Sequence, residues 1–211
     1  MLWQCPDDAV AALVLAHGAG AGMRHASMTA IATAFGSRGI ATLRFDFPYM
    51  AEGRKRVDSP AVATAAIAAT FAAARERTEL PIWLGGHSFG GRMSSHAVLD
   101  RQLPAAGLIF CSFPLHMPRK PDTKRAEHLG AIGLPMLFLS GTRDELAERA
   151  LLERVVASLP SARLHWLETA DHGYRVQKRA RSSSEGVFEE MARVARDFID
   201  AHTATASRSR R

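Results

Sequence analysis

The sequence predicts an α/β fold: a mainly parallel sheet of about six strands with helices on both faces. Three observations carry this. Short, continuous apolar runs alternate with segments of helical period. Such runs suit parallel strands buried on both faces, which need no polar alternation. The 211 residues fit one domain at roughly 100–200 residues per domain.

The strands are expected at Val10–Ala16, Ile40–Phe45, Ile82–Gly85, Gly107–Cys111, Met136–Ser140 and Leu164–Leu167. Helices are expected at Ser27–Arg38, Pro60–Arg77, Phe89–Arg101, Glu145–Leu159 and Glu185–His202. Ser59-Pro60 places a cap residue before proline at the first helical position. Pro81 and Pro135 stand just before strand cores, where a missing N–H costs least. Right-handed crossovers bring all strand C-termini to one rim. Asp46–Ser59, Ser112–Arg125 and Thr169–Ser184 are long connections of the kind that carries function. The domain is expected over residues 1–202. Residues 203–211, small, polar and basic, are expected to form a disordered tail.

The 27 Lys and Arg against 21 Asp and Glu give a net charge of +6. Lys178, Arg179 and Arg181, with Arg208, Arg210 and Arg211, account for that whole excess. The basic balance is thus a property of one late loop and the tail. Charge alone is the argument for a nucleic-acid partner, because no recognised binding motif accompanies it. Cys5 and Cys111 form neither a disulfide framework nor a pair at zinc-ligand spacing. The N-terminus lacks a basic n-region and a long apolar run. Ala61–Ala74 falls short of the ~20 apolar residues a membrane span requires. The expectation is a soluble, cytoplasmic protein without metal or membrane partner.

Gly86-His87-Ser88-Phe89-Gly90 matches Gly-x-Ser-x-Gly. It directly follows the strand PIWLGG and opens a helical segment, the setting of a nucleophile elbow. A serine hydroxyl needs a positioned base to become a nucleophile. The order serine, acid, histidine is met by Asp144 after the strand PMLFLS and by His172 after the strand LHWLE. His172 is then general base and general acid, and Asp144 orients its ring. Asp144 could instead cap a helix beginning near Glu145, and Asp171 and Glu145 compete with it as the acid.

His17-Gly18-Ala19-Gly20-Ala21-Gly22 follows the first strand. It fails the dinucleotide fingerprint, since Met23 or His25 stands where a third glycine is needed. No Gly-Lys-Ser/Thr follows, so it is no P-loop either. It fits a loop supplying one oxyanion N–H, with Ala19 as first choice and Gly20 next. Phe89, the residue after the nucleophile, supplies the other. His17 is expected to brace this loop.

With these motifs in place, the chain resembles the α/β-hydrolases, and within them the small lidless dienelactone-hydrolase-like group. It is similar there to the testis-expressed and NSL-complex-subunit-like hydrolases, on HGAGAG, RFDFPYM…GRKR…P, GGHSFGGR, SGTRD and ADHGY. The resemblance runs from about Val10 to His202. It implies Ser88, Asp144 and His172 as the triad, in a three-layer fold without a cap domain. Only about nine residues precede the first strand, so the family's opening antiparallel pair is expected to be missing or reduced.

The stretch between Cys111 and Met136 is too short for a cap, so an open site is expected, suited to small or surface-presented esters. Dienelactone hydrolases use a cysteine nucleophile, whereas this chain has Ser88. That favours simple carboxyl esters or thioesters as small-molecule substrates, with no cofactor. The runner-up is a non-catalytic interaction protein on the same fold. Arg44, Arg54, Lys55, Arg56, Arg119, Lys120 and Arg143 are expected on the catalytic rim and could attract an acidic ester. The simpler reading pairs Arg44 and Arg54 with Asp46 and Glu52.

Overall fold

The computed structural model describes residues 1–208. Seven strands form one sheet: β1 (Leu2–Gln4), β2 (Ala11–Ala16), β3 (Ile40–Phe45), β4 (Ile82–His87), β5 (Leu108–Cys111), β6 (Met136–Gly141) and β7 (Ala162–Leu167). Their spatial order is β1-β3-β2-β4-β5-β6-β7. All neighbours are parallel except β1, which runs antiparallel to β3 with Trp3 opposite Leu43. The six strands read from the sequence are β2 to β7. The antiparallel opening, expected to be missing or reduced, is the three residues of β1, too few to produce a periodic signal.

The helices are α1 (Ala26–Gly36), α2 (Pro48–Ala51), α3 (Pro60–Arg75), α4 (Phe89–Asp100), α5 (Arg149–Ala157) and α6 (Val187–Arg208). Two cores follow from the strand alternation. Ala12, Val14 and Ala16 of β2 pack with Ile67 and Phe71 of α3, Met93 of α4 and Leu152 of α5. Ala11, Leu13 and Leu15 pack with Met28, Ile31 and Phe35 of α1 and Met191, Phe198 and Ile199 of α6. Every residue of β2 is buried, as a strand covered on both faces requires. Edge strand β7 is less covered and carries Arg163 and His165.

Several boundaries move for local reasons. Ser59 precedes α3, but its side chain makes no capping hydrogen bond. α5 starts at Arg149 rather than near Glu145, because Glu148 takes the cap position and its side chain accepts from Ala150 N–H. α6 continues to Arg208, into the stretch expected to be a tail. Alanine-rich sequence favours this continuation, and the hydroxyl of Thr203 bonds back to Ile199 O at 3.0 Å. Residues 209–211 of that tail lie outside the described residues. In the basic loop, Arg181 is buried and ion-paired with Glu190, so one of its charges serves to anchor α6. Between β5 and β6 there is only a loop and a 3-10 helix at Lys124–Ala131. Among the described residues no helix is long and apolar enough to cross a membrane.

Candidate active site

The strand order reverses between β2 and β4: β3 lies to one side of β2, and β4 leads to the other. A crevice at strand C-termini forms at such a reversal. HGAGAG leaves β2 there, and Ser88 leaves β4. Ser88 has φ 51° and ψ −115°, a left-handed conformation that costs a non-glycine residue free energy. Its N–H donates to Cys111 O at 2.9 Å, which ties the turn to β5. The flanking glycines are dictated by space. A Cβ on Gly86 would lie 2.0 Å from Ala16 O, and one on Gly90 would lie 2.5 Å from it. The elbow is thus pressed against the end of β2.

His172 sits on the connection after β7. Its Nε2 is 2.9 Å from Ser88 Oγ, and its Nδ1 is 2.9 Å from each oxygen of Asp144. The Asp144 side chain is fully buried, whereas that of His172 is 24% exposed. Asp144 does not cap a helix. Its Oδ1 accepts from Leu146 N–H at 2.8 Å within the turn after β6, five residues before α5 begins. The competing acids are placed elsewhere. Asp171 Oδ1 accepts from Gly173 and Arg175 N–H, both at 2.9 Å, and Glu145 is exposed at the cleft edge.

Ala19 lines the cleft beside Ser88, and Phe89 is the first residue of α4. Among the described residues, neither the Ala19 nor the Phe89 N–H donates to a protein acceptor. His17 is fully buried. Its Nδ1 lies 2.8 Å from Gly18 O, and its Nε2 accepts from Phe47 N–H at 3.1 Å. Burial lowers its pKa, so the neutral ring braces the glycine loop against the segment after β3.

Three contributors were not read from the sequence. His87, the variable residue of the elbow motif, donates from Nε2 to His172 O at 2.9 Å. Burial holds its pKa down at about 4, so it is a neutral strut under the histidine loop. The buried hydroxyl of Tyr174 donates to Leu139 O at 3.1 Å and pins the same loop to β6. Phe188, at the start of α6, walls the cleft. The tyrosine of ADHGY was a visible signal for the second, while neither His87 nor Phe188 stands in a pattern that marks its role. Cys111 is fully buried, and burial pushes its thiol up to about 12, where thiolate chemistry is suppressed.

The open cleft has a volume of about 1020 Å³. Of the seven rim cations expected, only Arg143 lines it, joined by Arg175. Arg44 donates to Met23 O and Thr29 Oγ1, both at 3.1 Å, and does not reach Asp46. Arg54 pairs with Glu52 at 2.5 Å and with Asp58 at 2.8 Å. Arg54 thus holds the loop after β3, and Arg44 ties β3 to the segment after β2 and to α1. Among the described residues no three His, Cys, Asp or Glu side chains are grouped to hold a metal.

Among solved structures, Est1E from Butyrivibrio proteoclasticus with bound ferulic acid matches with a TM-score of 0.76 at 15% identity, over 96% of this chain and 94% of its own. A dienelactone hydrolase from Anabaena variabilis matches with a TM-score of 0.71 at 19% identity, over 94% and 89%. A lidless α/β serine hydrolase from Xanthomonas campestris gives 0.65 at 18%, over 96% and 87%. At these identities the likeness is one of fold. The model of the alpha/beta hydrolase domain family matches residues 9–200, nearly all of the sheet and its helices, and the chain belongs to that family.

Proposed function

We propose that the protein is a serine hydrolase that cleaves small carboxyl esters or thioesters through an acyl-enzyme on Ser88. One observation carries the reading: the His172 ring spans from Ser88 Oγ to the buried carboxylate of Asp144 with 2.9 Å contacts at both nitrogens. Asp144 holds the Nδ1–H tautomer, which leaves Nε2 free to accept the serine proton. As Oγ attacks the carbonyl carbon, the proton passes to Nε2 and the carbonyl oxygen becomes an oxyanion. The free Ala19 and Phe89 N–H groups are its donors, a contribution worth about 10²–10³ in rate per donor in such sites. The His172 imidazolium then protonates the leaving alkoxide or thiolate, and the acyl group stays on Ser88. Water attacks that acyl-enzyme by the same route, its proton going to Nε2, and the acid leaves as Ser88 recovers its hydrogen. No step requires a metal or organic cofactor.

The test is covalent labelling with a fluorophosphonate, read as adduct mass on purified protein. Wild-type protein should label at Ser88, and Ser88→Ala should not. A folded wild-type protein that takes no label at Ser88 would leave the interaction-protein reading in its place.

A further inference from the structure

We propose that the trough between α1 and the first turn of α6 binds an elongated apolar arm of the ester attacked by Ser88, an inference that rests on the hydrolase reading above. The trough follows from how α1 divides its residues. Met28, Ile31, Ala32 and Phe35 are buried in the core. The other side offers Ala26, Ala30, Thr33 and Ser37, with no large side chain to cover them. α6 begins at Val187 and does not close over that side. Instead, the half-buried Phe188 ring, braced edge-on against Tyr174 at 5.9 Å, forms an opposing wall. The space left is about 680 Å³.

Continuity identifies the occupant. Ala26, Ala30 and Phe188 line both this space and the cleft that contains Ser88 and His172. A chain entering from the serine therefore passes directly into the trough. The cleft is also chemically divided. Arg143, Glu145 and Arg175 stand on the loops after β6 and β7, while the α1 side offers Ala26 and Ala30 beside His25 and Ser27, which bond to each other at 2.8 Å. Among the described residues, Glu189 is the one charged residue lining the trough. At 1.5 Å per residue the trough floor from Ala26 to Ser37 is about 16 Å long, enough for an extended medium-length alkyl chain or an aryl group. A fully buried methylene is worth about fourfold in kcat/KM. A trough open along one side should give about twofold.

The experiment measures kcat/KM for two ester series, one lengthened on the acyl side and one on the alcohol side, from two to ten carbons. Each series is run on wild type, Ala30→Trp and Thr33→Trp. The trough predicts a rise with chain length in one series. Ala30→Trp should cut the long-to-short ratio about tenfold, and Thr33→Trp, further from Ser88, should cut it only for the longest chains. Identical ratios in all three proteins overturn the trough while leaving Ser88 chemistry intact. Loss of all Ser88-dependent turnover would instead overturn the hydrolase reading. A binding measurement covers that outcome: decanoate added to Ser88→Ala should shift the methyl signals of Ala26 and Ala30 in NMR spectra. Unmoved signals overturn the trough whatever the serine does.

Discussion

Two histidine pairs flank helix α4, and their surroundings give them opposite chemistry. At its start, the rings of His87 and His172 lie 5.2 Å apart and tilted by 54°. Along its length, His96 stacks on His128 at 3.8 Å and 13°. Burial is common to both pairs and holds His87 and His128 each at about 4. The charges facing them differ. His172 has the Asp144 carboxylate against Nδ1, whereas Arg92 opposes the charging of both members of the stacked pair, outweighing Asp100 at His96, and Arg125 faces Arg92 in turn. An anion at the back of the ring prepares an imidazole to take a proton. A guanidinium there opposes it. Of these four histidines, therefore, only His172 combines a serine at one nitrogen with a carboxylate at the other.

The largest expected effect comes from removing that carboxylate. Asp144→Asn keeps the shape of the side chain but no longer fixes the Nδ1–H tautomer or stabilises the imidazolium. In a serine triad this costs about 10⁴ in kcat, with KM little changed. Steady-state hydrolysis of a short p-nitrophenyl ester, compared with Ser88→Ala, measures it. A loss under tenfold would show that the carboxylate is not what separates the two pairs.

The stacked pair should govern stability instead. Its ordinary value is 6.5, and folding lowers both members, His128 to about 4. A depressed histidine binds fewer protons folded than unfolded. Its stabilisation is thus complete above pH 6.5 and is lost as pH falls from 6.5 towards 4. For His128 alone the loss should be about 3 kcal/mol by pH 4. His128→Gln retains a donor for Ser95 Oγ, which His128 Nε2 contacts at 2.8 Å, but cannot ionise. Thermal melts between pH 7.5 and 4.5 should therefore fall less steeply in the variant than in wild type. Parallel curves would remove the stacked pair from the acid response.

The contrast between the pairs also marks what the sequence could disclose. The elbow was legible because its constraint is local: a strand, a strained serine and glycines that admit the end of β2 all occupy one short motif. Asp144 and His172 were legible through chain order at strand ends, since parallel topology brings those ends to one rim. His87 was not, because its role depends on a carbonyl 85 positions away. The same holds for His128, whose stacking partner lies on a different element and follows no periodic pattern. β1 escaped because a three-residue antiparallel strand is held by its partner β3 rather than by its own pattern. Arg44 was misplaced because Asp46 lies past the end of β3 and accepts from Met23 N–H, while Arg44 is drawn to Met23 O and Thr29 Oγ1, partners distant in sequence.

The smallest effect separates charge from burial in the stacked pair. Burial is the leading cause of the depressed His96 and His128 values, and Arg92 adds to both. Arg92 does not act on His87, whose charged neighbours are His172, Asp144 and His25. Arg92→Gln should therefore raise the titration midpoints of His96 and His128 by less than about one pH unit, leaving His87 in place. NMR titration of the imidazole Cε1–H signals reads all three in one sample. If His128 does not move while His87 also stays fixed, burial and the facing His96 ring hold His128 neutral without help from Arg92. The difference between the two pairs would then reduce to the presence of Asp144.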